Sequence, residues 1–256
     1  MSFRSDRFVS SRSPCRSLVM MRSTVFAHLL CLTLVGFGLT LATRAASAGA
    51  KAASGPTTQA ADPAAITGTG WLDLLEDVTL EDWIRVPLPP GSPLSARNPW
   101  SYDRSARTLS CDGTGSDEIF LHRTLRSDGV LRVEWRFVGA PANPNAGIFI
   151  RTKADKSVWF ESRLSPDGLG TLYGVNLGRD GKPKRFAYGT RRPALLHKPE
   201  EWNVTEFTSV GTRLILKLNG TVAADWNDCN VPEAQVGIRS DGTAIEFRAI
   251  LFKPVP

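Results

Sequence analysis

Cysteine and histidine are scarce in this chain of 256 residues, with four and three copies. Cys15, Cys31 and His28 fall in the first 48 positions, which leaves Cys111, Cys229, His122 and His197. Those four are too dispersed for a zinc-site spacing. The sequence also lacks a G-x-S-x-G elbow, a phosphate-binding loop, a dinucleotide fingerprint and an H-E-x-x-H pair. Serine-elbow hydrolysis, nucleotide chemistry and zincin-type proteolysis lose their usual signatures with them. Only one long apolar run occurs, no internal repeat is present, and no stretch holds a helical period beyond a turn or two. An excess of charge is missing too, once its location is considered. Residues 1–48 hold six arginines and one acid, so 25 basic and 24 acidic residues remain in 49–256. A folded part close to neutral offers no electrostatic footprint for nucleic acid.

What the N-terminus does hold is an address. Val25 to Ala42 is an 18-residue apolar run preceded by arginines and followed by Ala46-Ser47-Ala48. This is the pattern of an export signal cut after about Ala48. Met20 and Met21 are alternative starts, since residues 1–19 add nothing a signal needs. Left uncut, the run is long enough to anchor the chain in the envelope; once it is removed, no membrane span remains. Export would place Cys111 and Cys229 where a disulfide can form, and both a single bridge and two buried thiols are open readings. Residues 49–69 are rich in Ala, Ser, Thr, Gly and Pro and read as a flexible linker. Residues 70–256 read as one domain.

That domain has the punctuation of an all-β fold. Ten alternating or apolar runs are expected as strands: Thr108–Cys111, Glu118–Arg123, Val130–Val138, Gly147–Lys153, Val158–Leu164, Trp202–Thr208, Arg213–Leu218, Thr221–Trp226, Val236–Ser240 and Ala244–Lys253. Asn219-Gly220, between two of them, is a strong hairpin signal because both residues tolerate positive φ. Asp128-Gly129, Asp180-Gly181 and Asp241-Gly242 mark further turns. The expectation is a jelly-roll sandwich of two antiparallel sheets.

Strand parity then sorts the side chains. Leu131, Val133, Trp135 and Phe137 share one face, and Arg132, Glu134 and Arg136 the other. Phe149 goes with Arg151; Trp159, Glu161 and Arg163 go together; Glu246 and Arg248 oppose Ile245, Phe247 and Ala249. If these strands pair, one sheet presents Glu and Arg mixed with aromatics. Such a face suits a sugar, since rings stack on pyranose faces and charged groups bind hydroxyls in pairs. Glu134 and Glu161 then resemble the two carboxylates of a glycosidase. The plainer readings are a solvated sheet face and structural ion pairs.

An ordered set of short motifs carries a family resemblance over nearly all of residues 70–256. Gly70-Trp71-Leu72-Asp73-Leu74-Leu75 opens it and Trp83 follows. Then come Glu134-Trp135-Arg136, Asn145-Ala146-Gly147-Ile148-Phe149-Ile150-Arg151, Phe160-Glu161-Ser162-Arg163, Leu172-Tyr173-Gly174, Glu200-Glu201-Trp202-Asn203, Leu218-Asn219-Gly220, Gly237-Ile238-Arg239 and Phe247-Arg248-Ala249-Ile250. In this the chain resembles the 3-keto-disaccharide hydrolase domain family, abundant in exported bacterial proteins. The resemblance implies a concanavalin A-like jelly roll and cleavage of glycosidic bonds in sugars oxidised at carbon 3. It also implies involvement of a divalent metal ion, for which no ligand set is apparent here.

The chemistry has a simple basis. A ketone at carbon 3 acidifies the hydrogen on carbon 2, a base removes that proton, and the glycosidic oxygen leaves by elimination. By role, Glu161 is the expected base or acid, Glu134 its partner, and Arg151 the stabiliser of negative charge. Asn145, Arg163, Tyr173, Trp202 and Arg239 are expected substrate contacts. The chain departs from the family pattern at four places: Arg163 and Arg239 stand where Gln is usual, Ala146 where Ser is, and Asp128-Gly129 where Asp-Phe is. The two arginines add positive charge to the expected binding face. Three functions fit these readings: an exported hydrolase or lyase on 3-keto-glycosides, a non-catalytic carbohydrate-binding module, and an envelope-tethered interaction domain.

Overall fold

Between Gly129 and Phe137 every second side chain is apolar, and this strand lies at the centre of one of two sheets in the computed structural model. The structure describes residues 69–255 except Val78, Ser116 and Pro199; the leader and all but the end of the linker lie outside the described residues. Fifteen strands run in chain order: β1 (Leu72–Asp73), β2 (Trp83–Pro87), β3 (Trp100–Asp103), β4 (Thr108–Cys111), β5 (Glu118–His122), β6 (Gly129–Phe137), β7 (Ala146–Thr152), β8 (Trp159–Arg163), β9 (Leu172–Leu177), β10 (Pro183–Tyr188), β11 (Asn203–Val210), β12 (Arg213–Leu218), β13 (Thr221–Trp226), β14 (Gln235–Ser240) and β15 (Ile245–Pro254). The helical content of the described residues is a single 3-10 turn at Pro193–Leu195.

All ten expected strands are present. The five that sequence reading missed are short, or carry Gly174 and Asn176 (β9), or are exposed along nearly their whole length (β10). Asn219 and Gly220 both take positive φ and join Leu218 to Thr221 across the β12–β13 hairpin, as expected.

Two antiparallel sheets result. The first has the order β13-β12-β11-β6-β15-β4-β3, with β1 also on β15. The second has the order β10-β9-β8-β7-β14-β5-β2. Leu131, Val133, Trp135 and Phe137 of the first sheet share one buried cluster with Ile148, Ile150, Phe160 and Ile238 of the second. Side chains of opposite parity therefore point away from the core, on opposite outer faces of the sandwich.

This overturns one expectation. The strands β6 and β15, with Glu134, Glu246 and Arg248, belong to the first sheet, whereas β7, β8 and β14 belong to the second. Parity tells which residues share a face of one strand, but not which sheet the strand joins, and the β6–β7 connection crosses between layers. Cys111 and Cys229 are both free buried thiols, so of the two open readings the structure has the unbridged one. Burial is the main influence on each and pushes its pKa up.

Candidate active site

The outer face of the second sheet divides into an apolar half and a charged half. Val86, Ile119, Leu121 and Phe149 form a small buried cluster there, with Trp159 packed against it. Beside it, β7, β8 and β14 supply the charges. Glu161 stands opposite Phe149 on one side and opposite Tyr173 on the other. It is only 2 % exposed. Room for its carboxylate comes from Gly147, because a Cβ at that position would strike Oε1.

Three cations surround this carboxylate. Arg239 donates from Nη1 to Oε1 at 3.3 Å. The Nε of Arg163 lies 3.6 Å from Oε2, and the Arg163 guanidinium lies 4.5 Å over the Tyr173 ring. Lys156, on the β7–β8 turn, lies over the Phe149 and Trp159 rings and acts on Glu161 through its charge. Burial pushes the Glu161 carboxyl above the ordinary range, and Arg239, Arg163 and Lys156 pull it part of the way back. Lys156 moves the other way: burial first, opposed by Glu161, lowers its ammonium to about 8. A carboxyl shifted up beside an ammonium shifted down is the environment expected of proton-transfer groups.

Arg239 is the hub of the site, and all three of its guanidinium nitrogens are engaged by carboxylates. Its Nε and Nη2 bind both oxygens of Asp117 at 2.6 and 3.0 Å, and Nη2 also reaches Asp241 at 3.0 Å. Asn145 donates to the same Asp241 oxygen at 2.7 Å. A groove of about 520 Å³ opens alongside, lined by Asn145, Arg163, Ser165 and Asp167 among others.

The structure therefore gathers five of the eight sequence-predicted residues: Glu161, Arg163, Arg239, Asn145 and Tyr173. It does not gather the other three. Glu134 is completely buried on the first sheet's outer side, between Arg132 at 2.8 Å and Arg248 at 2.7 Å. Trp202 is on that side too, under the guanidinium groups of Arg136 and Arg248 at 4.7 and 4.5 Å from its ring centroid. Arg151 leaves the face of Phe149 because β7 carries one extra residue between Phe149 and Thr152, opposite the Gly237–Gln235 step of β14, and Arg151 itself takes φ 48°. Its guanidinium bonds instead to Asp128 at 2.6 Å and to the Val231 carbonyl. The residues missed by sequence reading are Lys156, Asp117 and Asp241. All three sit in turns or flanking loops, where charged residues read as solvated; only the pairing of β7 with β8 shows that the turn between them overhangs the site.

The divalent ion that the resemblance implies does not fit these residues. Asp117, Asp241 and Glu161 all bond Arg239, and among the described residues no three His, Cys, Asp or Glu side chains group as a metal-holding set.

A jelly roll with an aromatic and charged outer face is the architecture of a carbohydrate-active domain. The chain belongs to the family of 3-keto-alpha-glucoside-1,2-lyase-like domains, whose model matches residues 70–253. Among solved structures, a provisionally assigned glycosyl hydrolase from Parabacteroides distasonis ATCC 8503 is similar with a TM-score of 0.50 and 16% identity, over 72% of this chain and 99% of that one. The carbohydrate-binding module CBM66 from Bacillus subtilis gives 0.48 and 13%, over 67% and 95%. A prokaryotic β-1,3-1,4-glucanase (lichenase) from a mouse hindgut metagenome gives 0.46 and 10%, over 72% and 98%. No curated protein matches the chain. Among the described residues no helix is long and apolar enough to cross a membrane.

Proposed function

We propose that this chain is an exported enzyme that cleaves the glycosidic bond of 3-keto-disaccharides or related 3-keto-glycosides by elimination, with Glu161 as the base. The observation that carries this reading is a carboxylate 2 % exposed on an outer sheet face, with a raised pKa and two guanidinium groups within 3.6 Å. Removing a proton from carbon 2 leaves negative charge on the carbon-3 oxygen, and a cation must meet it. Arg163 suits that task. Its side chain is 40% exposed, so a ligand reaches it, and it is not clamped by other carboxylates as Arg239 is. Arg239 positions Glu161 and holds Asp241 towards Asn145. Tyr173 and Trp159 offer ring faces to the sugar. Glu134, Trp202 and Arg151 have no part in this reading. The leader supports export to the periplasm or beyond.

The test uses the mature chain with a panel of 3-keto-disaccharides and their unoxidised parents, following release of the keto-sugar. Release from the oxidised sugars alone, lost in Glu161→Gln with the circular dichroism of the native fold, is the expected result. Saturable glycan binding without any product would make the domain a carbohydrate-binding module instead. Neither binding nor release would make it an interaction domain.

A further inference from the structure

Lys156 is the one cation at the site that has no ion pair within bonding distance among the described contacts, and its position is built rather than loose. The β7–β8 turn is closed by Lys153 N–H donating to Val158 O at 3.0 Å and Lys156 N–H donating to Lys153 O at 2.9 Å. Asp155 accepts from both the backbone and the hydroxyl of Ser157 at 2.9 and 2.7 Å. Lys156 takes φ 58°, a left-handed conformation that a lysine adopts only when the turn imposes it. The side chain is thereby laid back over the sheet. Nζ comes 4.1 Å from the Trp159 ring centroid and 4.5 Å from that of Phe149. Trp159 precedes Glu161 by two on β8, and Phe149 is its partner on β7, so these are the rings that flank the carboxylate.

We infer that Lys156 is a nucleophilic amine that forms a Schiff base with the carbon-3 ketone of the substrate. This rests on the reading of the site as one that cleaves 3-keto-glycosides. The neutral amine adds to the ketone carbon, the ketone oxygen leaves as water with one proton from solvent, and a protonated imine joins Nζ to carbon 3; imine hydrolysis later returns that proton. Glu161 takes the proton from carbon 2, and the C–H pair becomes the C2=C3 bond of an enamine as the C=N pair moves onto nitrogen. The nitrogen pair then re-forms C=N, the C2=C3 pair becomes C1=C2, and the glycosidic oxygen leaves carbon 1, collecting the proton from Glu161. Water hydrolyses the imine, which frees the lysine and the unsaturated ketone. No external oxidant or reductant enters. Carbon acidity gains because a protonated imine already carries the charge that a ketone oxygen acquires only in the transition state.

The charged groups that bear on Nζ are Glu161, Arg239 and Asp117. Burial and Arg239 favour the free amine, while Glu161 and Asp117 oppose them. With its pKa lowered to about 8, about a tenth of Lys156 is neutral at pH 7, against roughly one part in three thousand for an ordinary lysine.

The experiment incubates the mature chain with the 3-keto derivative of trehalose and sodium cyanoborohydride, followed by intact-mass measurement and peptide mapping. The expected result is progressive inactivation with a covalent sugar adduct on the peptide that carries Lys156. A second measurement runs turnover in ¹⁸O water, where imine hydrolysis puts label on the ketone faster than the uncatalysed exchange. Lys156→Arg, which keeps the cation and removes the nucleophile, is expected to lose the adduct, the enhanced exchange and turnover together. Turnover in the native chain without adduct or enhanced exchange, or turnover retained in Lys156→Arg, overturns the Schiff base and leaves the elimination standing. An adduct without release of product supports the amine and strikes the proposed function. Absence of both adduct and turnover overturns both.

Discussion

Gly147 and Glu161 are diagonal neighbours across β7 and β8, so close that a Cβ built on the glycine meets Oε1 and lies 3.0 and 3.1 Å from Cδ and Cγ of the glutamate. The carboxylate lies where any other residue's side chain would begin. Arg239 holds one of its oxygens, so it cannot swing aside freely. Gly147→Ala is therefore expected to displace the carboxylate, and displacement of a reacting group by about 1 Å costs on the order of 100-fold in rate. Steady-state kinetics beside a thermal melt check this: kcat should fall with most of the melting temperature kept. Full activity in the alanine variant would remove Glu161 from the chemistry.

Glu161 should also be a stability cost. Its pKa is raised by burial, so the folded state binds this proton more tightly than the unfolded chain, whose value is near 4.5. Stability from this group is greatest below 4.5 and is lost as pH rises to the folded pKa; the penalty is fully present above it. Glu161→Gln, an isostere of the protonated form, is expected to melt above the native protein at pH 7, with the gap closing as pH falls towards 4.5. Melting curves across that range decide the matter.

Turnover should follow both shifted groups. The ratio kcat/KM rises as Glu161 loses its proton and as Lys156 becomes neutral, the lysine's rise having its midpoint at about 8 and its plateau above that. A profile flat from pH 6.5 to 9 would place no weight on the amine.

On the opposite outer face, Glu134 joins Arg132 and Arg248 without any exposed surface of its own. Breaking a buried pair leaves uncompensated charge and costs roughly 3–5 kcal/mol. Glu134→Gln is expected to lower stability on this scale while the folded protein keeps its kcat. Denaturant titration and initial rates separate the two effects.

A chelator is expected to leave turnover unchanged, because Arg239 engages Asp117, Asp241 and Glu161, the carboxylates that a divalent ion would need. Strong inhibition by a chelator, reversed by one added metal, would contradict this.

Much of the layout is legible in the sequence, and the failures have physical causes. Alternation marks Val130–Val138 as a strand and assigns its apolar side to the core correctly. The same alternation cannot show that β6 and β7, neighbours in sequence, enter different layers, and so it pairs Glu134 with Glu161. The motif residues Asn145, Glu161, Arg163, Tyr173 and Arg239 do meet, since each lies on or beside strands β7, β8, β9 and β14. Lys156 escapes detection because a lysine in a polar turn looks like any solvated lysine until the turn's backbone folds it over the sheet.

The register shift between Gln235 and Gly237 has a consequence for anyone who alters this face. It acts as a phase slip along β7: Phe149 still belongs to the face that carries Glu161, while Arg151, two positions later, faces Asp128 and Val231. Specificity engineering on β7 thus has a boundary at Ile150. Changes on the near side alter the outer face beside Glu161, and changes on the far side remove the bonds by which Arg151 ties Asp128 to the Val231 carbonyl.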